Sequence, residues 1–96
     1  MIIIAGRLHV DPEAREQYLA ACLDATTQAR AAPGCLDFVQ AADPIEPDRI
    51  NVYERWESDA DLHAFRGDGS GSGSGDLPPV RDASVSKYRI SATEAP

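Results

Sequence analysis

The stretch RINVYERWESDADLHAFR, residues 49–66, decides the fold, because a strand and a helix follow each other in it without a break. Its first half alternates with a period of two, which is typical of a half-buried β-strand. One side of that strand would carry Ile50, Val52, Glu54 and Trp56, and the other Asn51, Tyr53 and Arg55. Ser58, with Asp61 three residues later, is a variant of the capping box. It predicts a short helix that presents Leu62 and Phe65.

A strand and a longer helix precede this stretch. The segment IIIAGRLHV, residues 2–10, is rich in β-branched residues and predicts a strand. Residues 11–34 predict one helix, in which Asp11 caps the start and Pro12 occupies the first position. Pro33-Gly34 ends it. Helical spacing predicts one buried stripe made of Tyr18, Leu19, Cys22, Leu23 and Thr26.

Two further strands complete the predicted fold. Residues 35–43 alternate loosely, with Leu36 and Phe38 on one face and Cys35, Val39 and Ala41 on the other. Residues 83–93 form the last strand. The resulting order, β-α-β-β-α-β, predicts an α+β fold of the ferredoxin-like, split βαβ type. Its four-stranded antiparallel sheet carries both helices on one face and leaves apolar residues uncovered on the other, which favours a homodimer.

The glycine-serine run in RGDGSGSGSGDLPP, residues 66–79, separates the second helix from the last strand. Three strands and two helices precede it, and the fourth strand of the same sheet follows it. Residues 1–96 are therefore predicted to be a single domain, with a flexible loop at 67–76. A native loop and an engineered replacement of a longer one are both compatible with its regularity.

Charge and composition exclude several classes of partner. The 96 residues carry 16 Asp and Glu against 9 Lys and Arg, a net charge of −7. Nucleic acid and anionic membranes are disfavoured, because both need clustered basic side chains. No apolar run approaches the roughly 20 residues of a membrane span. Two unrelated cysteines, Cys22 and Cys35, fit a reducing cytoplasm better than a disulfide framework.

Residues 32–66 resemble the antibiotic biosynthesis monooxygenase family. The resemblance is carried by Pro33-Gly34, by Tyr53-Glu54-Arg55-Trp56 and by the order of elements around them. It implies a dimeric α/β barrel, in which two sheets pack against each other, and a small apolar pocket between sheet and helices. It also implies a monooxygenase that oxidises a small phenolic or quinol compound with O₂, without metal or flavin. No metal-ligand spacing is present, so no metal site is expected.

The resemblance and the residue types together suggest a site. The candidate pocket residues are Trp56, Phe65, Leu62, Tyr18, Phe38 and Arg66, and His63 is the candidate catalytic base. Histidine suits proton transfer near neutral pH. For Trp56, a core position that bridges strand and helix is equally compatible. Core packing is also the alternative for the other apolar candidates, Phe65, Leu62, Tyr18 and Phe38. For His63 and Arg66, the alternative is an ordinary solvent-exposed side chain.

Departures from the family pattern separate two hypotheses. The haem-degrading branch has Asn, Trp and His at positions that correspond here to Gly6, Phe65 and Gly75, so haem is not expected. Many monooxygenases of the family place a histidine after the second helix, but no histidine follows His63. The alternative function is therefore a non-catalytic dimeric barrel that binds a small aromatic molecule.

Overall fold

A computed structural model describes residues 1–67 and 77–96 of the chain. Its four strands form one antiparallel sheet in the order β2-β3-β1-β4, which confirms the predicted ferredoxin-like α+β fold. The elements are β1 (Ile2–Val10), a 3₁₀ turn (Pro12–Ala14), α1 (Arg15–Ala21), α2 (Leu23–Ala31), β2 (Cys35–Ala42), β3 (Arg49–Trp56), α3 (Asp59–Gly67) and β4 (Val80–Arg89). Among the described residues, no helix is both long and apolar enough to cross a membrane.

The core lies between the sheet and the helices, in two clusters. The predicted alternation of β3 is confirmed, because all four residues assigned to one side are buried and the other three are half-buried. The larger cluster contains Ile2, Ile4, Ala29, Phe38, Trp56 and Leu62. The smaller cluster contains Val10, Tyr18, Cys22 and Ile50, with Leu77 packed against it.

The first helical segment differs from the single helix that the sequence predicted. It divides at Cys22, whose N–H donates to the carbonyl oxygens of Tyr18 (3.1 Å) and Leu19 (3.2 Å), so α1 and α2 stay joined. The prediction of Leu23 in the buried stripe is wrong, since its side chain is 64 % exposed. It follows the buried Cys22 by one residue, a rotation of about 100° around the helix axis.

The start of this segment needs one correction as well. Pro12 occupies the first position as predicted, but the Asp11 side chain makes no capping hydrogen bond. The turn is closed by its backbone, with the Ala14 N–H donating to the Asp11 carbonyl oxygen (2.9 Å). The Asp11 carboxylate lies 3.6 Å from Arg81 Nη1 on β4 instead. A cross-element ion pair thus takes the place of the predicted cap.

Strand β2 begins with an irregularity that the sequence did not indicate. The register shifts between Cys35 and Asp37, so that Cys35 lies opposite Trp56. Leu36 is then an extra residue in a bulge, and it is 40 % exposed. The prediction that Leu36 shares a face with Phe38 is therefore wrong. Cys35 packs against the larger core cluster in its place.

The beginning of α3 is stabilised as the sequence predicted, by Ser58 and Asp61. The Asp61 N–H donates to Ser58 Oγ (3.2 Å), and the Ser58 hydroxyl donates to Asp61 Oδ2 (2.9 Å). Gly34, at φ +80°, packs against the Asp61 carboxylate so closely that a Cβ would overlap it. Its carbonyl oxygen accepts a hydrogen bond from the Glu57 N–H (2.8 Å). The end of the first helical segment is thereby attached to the start of α3.

Strand β4 is joined to the sheet along β1 alone, and all its residues are exposed. It begins at Val80, three residues before the predicted Ala83. The two backbones approach closely at Gly6, where a Cβ would lie 2.7 Å from the Val85 Cα and would overlap the Ser84 carbonyl oxygen. The predicted flexible loop at 67–76 lies outside the described residues, except for Gly67 at the end of α3.

We expect Gly6→Ala to lower the free energy of unfolding by about 1–3 kcal/mol, because the added methyl group forces β1 and β4 apart. Urea denaturation measures the change. Gly67→Ala is the matched control, since no atom of the described residues lies within 4 Å of a Cβ added there. Equal stability of the two variants would show that β4 does not depend on the close approach at Gly6.

Candidate functional site

A cleft of about 280 Å³ lies between α3 and the paired strands β1 and β4. Leu62 from α3, Ile4 from β1 and Val85 from β4 give it an apolar base. His63, Arg66 and Lys87 supply its basic side chains, and Ser86 completes the lining. An apolar base with a few polar groups is typical of small-molecule sites.

Asp59 joins the two walls of the cleft. Its carboxylate accepts a hydrogen bond from Lys87 Nζ (2.8 Å) and another from Arg89 Nη1 (2.7 Å). These two hydrogen bonds hold the pKa of Asp59 well below its usual value, and the one from Arg89 has the larger effect. Asp59 also begins α3, where the helix dipole favours a negative charge. The position of β4 relative to α3 therefore depends partly on charge.

Glu54 is a functional candidate that the sequence reasoning missed. It is 6 % exposed, and its Oε1 accepts a hydrogen bond from Trp56 Nε1 (3.1 Å). Arg66 Nη2, at the cleft, lies 3.7 Å from the same oxygen. A buried carboxylate needs such partners, because desolvation of an unpaired charge is costly. The signal was present in the sequence, as a glutamate on the apolar side of the alternating strand.

Three of the predicted pocket residues form an aromatic cluster in the core. The ring of Phe65 lies 5.5 Å from that of Trp56 and 6.3 Å from that of Phe38, between centroids. Trp56 is completely buried, and Phe38 is 6 % exposed. This cluster packs with Leu62, which also lines the cleft. None of the three aromatic side chains is among the residues that line the described cleft.

The structure places Leu62, His63 and Arg66 together at the cleft, whereas three of the predicted aromatic pocket residues lie in the core beside it. Tyr18 does not join them, since it lies in the smaller core cluster with Cys22. Burial, followed by the effect of Cys22, raises the pKa of Tyr18. The sequence could not distinguish the two clusters, because both contain residues from the same face of the sheet.

A second cleft, of about 380 Å³, lies along the edge strand β2 and is lined by Arg30, Cys35, Leu36, Asp37 and Val39. Burial, with a smaller contribution from the charge of Glu54, raises the pKa of the Cys35 thiol. The thiolate, which is the reactive form, is therefore disfavoured. Arg30 Nε already donates to the Phe38 carbonyl oxygen (2.8 Å). The cleft beside β2 therefore offers fewer reactive groups than the cleft between α3 and β4.

Ligand atoms of His9, Glu46 and Asp48 lie within 4.8 Å of one another, at the opposite end of β1. An ion-pair network accounts for this cluster. His9 Nε2 is 3.3 Å from Glu46 Oε1, and Arg49 Nη1 is 3.0 Å from Glu46 Oε2. The hydrogen bonds from Arg49 and then His9 lower the pKa of Glu46. Both carboxylate oxygens of Glu46 are therefore already partnered without a metal ion.

Residues 1–69 match the family model for antibiotic biosynthesis monooxygenases. The chain belongs to the antibiotic biosynthesis monooxygenase family. The matched region contains β1, the helices and the α3 wall of the cleft, and it ends before β4. It includes the Tyr53-Glu54-Arg55-Trp56 sequence on which the resemblance depended.

Solved structures share this fold over nearly the whole chain. A proposed antibiotic biosynthesis monooxygenase from Deinococcus radiodurans is 18 % identical, with a TM-score of 0.82 over 99 % of this chain and 97 % of that one. A second proposed member, from Nitrosomonas europaea, is 16 % identical, with a TM-score of 0.80 over 96 % and 100 %. Rv0793 from Mycobacterium tuberculosis is 22 % identical, with a TM-score of 0.75 over 98 % and 97 %. No curated protein matches the sequence significantly.

The lowered pKa of Asp59 makes stability depend on pH. Because the folded-state pKa lies below the usual 3.8, the ion pairs stabilise the fold above pH 3.8, and the stabilisation is lost as the pH falls below it. We expect Asp59→Asn to be less stable than the wild type at pH 7, with a difference that shrinks towards pH 2. Denaturant titrations across this range measure it.

Glu57→Gln provides the control, because it removes the same charge from an exposed side chain next to α3. It should change stability little at either pH. A stability difference for Asp59→Asn that stayed constant between pH 7 and pH 2 would contradict the role assigned to the carboxylate.

Proposed function

We propose that this chain is a monooxygenase that oxidises a small phenolic or quinol compound with O₂, without a metal, flavin or haem, in the cleft between α3 and β4. Family membership supports the general class of reaction. The cleft carries the specific proposal, because it combines an apolar base with His63 and two cations. Such a site can hold an aromatic ring and favour its deprotonated form.

The chemistry needs a deprotonated substrate more than a dense catalytic cluster. A phenolate transfers an electron to O₂, and the two radicals combine at a ring carbon to give a hydroperoxide. Loss of water then leaves a carbonyl. One oxygen atom of O₂ enters the product and the other leaves as water, and all four electrons come from the ring. For 1-naphthol the products are 1,4-naphthoquinone and water.

The cleft residues have distinct roles in this scheme. His63 accepts the phenol proton, as an imidazole can near neutral pH. Arg66, three residues further along α3, stabilises the resulting oxyanion. The negative charge of Glu54 does not oppose that oxyanion strongly, because Trp56 Nε1 and Arg66 partner it. Leu62, Ile4 and Val85 contact the ring and exclude water from it.

A specific observation favours the alternative, a dimeric barrel that binds an aromatic molecule without reaction. No histidine follows His63 in the chain, whereas many relatives place one after the second helix. The cleft described above would serve binding equally well. Turnover and binding must therefore be measured separately.

A homodimer is part of this proposal. The sheet face opposite the helices is half-buried and includes Ile3, Ala5, Val39 and Tyr53, with Tyr88 56 % exposed. No other element among the described residues packs over it. A second copy of the sheet would cover this apolar surface and add the burial that a small domain lacks.

We expect ¹⁸O₂ uptake with 1-naphthol, dihydroxynaphthalenes or quinols, after treatment with a chelator, to place one labelled oxygen in the product. Mass spectrometry detects the label, and a peroxide assay detects background autoxidation. His63→Gln should lower the rate about a hundredfold, the usual effect of removing a general base. His9→Gln is the control, because His9 is paired with Glu46 at the far end of β1 and does not line the cleft.

Binding of these compounds without oxygen uptake would reject the monooxygenase function and favour the alternative, a barrel that binds an aromatic molecule without reaction. Equal rates for His63→Gln and His9→Gln would reject His63 as the base.

Sedimentation equilibrium should give about twice the chain mass of 10.3 kDa. Tyr53→Lys, which introduces a charge on the open face, should shift the protein towards the monomer, whereas Glu57→Lys should not. A wild-type mass of one chain at micromolar concentration would reject the dimer.

A further inference from the structure

We infer that the ligand of the cleft is an aromatic acid, a hydroxylated ring with a carboxylate that binds Lys87. The inference rests on the proposed function, because it assigns a substrate class to the same cleft. His63 and Arg66 project from α3, whereas Lys87 projects from β4. Two separate anionic groups on one ligand would match these two positions.

The β4 wall has an excess of positive charge. Among the described residues, Lys87 and Arg89 share a single carboxylate, that of Asp59. An ammonium group has three donors, and Asp59 takes one of those of Lys87. The remaining donors and the uncompensated charge favour an anion on this side of the cleft. This excess is notable in a chain whose net charge is −7.

The strand register then orients the ligand. Glu54 on β3 lies opposite Ile4 on β1, and Ile4 lies opposite Lys87 on β4. Across β3, β1 and β4 this row therefore runs from a buried carboxylate through an apolar residue to an ammonium group, and Phe38 on β2 continues it beyond Glu54. A ring that packs on Ile4 would place its carboxylate against Lys87, because the ammonium group attracts it, whereas Arg66 on the other wall already lies close to the Glu54 carboxylate.

The two walls can then act on different groups of one molecule. The carboxylate on Lys87 leaves the hydroxyl group near His63 and Arg66, where the proton has to be removed. The cleft volume of about 280 Å³ is small for a ligand pocket, which favours one or two fused rings over larger systems. A hydroxynaphthoate has this size and both functional groups.

Anaerobic calorimetric titration with 1-naphthol and 5-hydroxy-1-naphthoate, whose hydroxyl and carboxylate lie on different rings, tests the inference without turnover. We expect the carboxylate to tighten binding at least about tenfold, as one charge-assisted hydrogen bond would. Lys87→Gln should abolish most of this preference while 1-naphthol still binds, which also shows that the cleft remains intact. High salt should weaken the binding of hydroxynaphthoate more than that of naphthol.

Arg89→Gln is the matched control, because Arg89 shares the partner Asp59 with Lys87 but does not line the cleft. It should keep the preference for the acid. Equal affinity of the wild type for both ligands, or equal loss of preference in the two variants, would overturn the inference and leave the proposed function standing. If neither compound bound, the proposed function would fall together with it.

Discussion

Strand β4 is attached to the sheet along one edge, and the close approach of its backbone to Gly6 makes that attachment possible. The candidate site depends on it, because β4 supplies Val85 and Lys87 to one wall of the cleft. The ion pairs of Asp59 with Lys87 and Arg89 provide a second attachment, from α3. Gly6, on the inner strand β1, has no side chain, and the close approach that forms the cleft depends on this.

The other wall depends on the packing of α3 over an aromatic core. Phe65 contacts Trp56 and Phe38 on its inner side, and Leu62 reaches both this core and the cleft. The helix is therefore fixed in position while His63 and Arg66 remain exposed to solvent. Rigid elements that hold a few exposed polar groups suit a site whose chemistry needs orientation more than a large catalytic apparatus.

Glu54 connects the core to the site. Its carboxylate is buried with the aromatic residues, yet it lies close to Arg66 at the cleft. Two partners satisfy its charge in part, through a hydrogen bond from the Trp56 indole and the nearby guanidinium. Because the Glu54 carboxylate lies close to Arg66, the excess positive charge of the site lies at Lys87 and Arg89, which share Asp59. The polarity of the site therefore arises from cross-strand neighbours, which no local sequence pattern reveals.

The sequence predicted the parts of the fold that depend on local periodicity. The alternation of β3 and the Ser58–Asp61 start of α3 were confirmed, since each reflects neighbours within a few residues. The bulge at Leu36, the exposure of Leu23 and the ion pair of Asp11 were not predicted, because each depends on a partner strand or on the path of the helix. Similarly, Leu62, His63 and Arg66 were found from one helix, but Ile4, Val85 and Lys87 were not.

The sequence by itself therefore determined the order of elements, the family and one wall of the candidate site. All three follow from patterns within continuous stretches of the chain. Only the tertiary structure decided that β4 lies beside β1 with Lys87 facing α3, and that Glu54 shares its carboxylate with Trp56 and Arg66. The physical reason is that strand register and ion pairs join residues far apart in the chain, where the sequence carries no periodic signal.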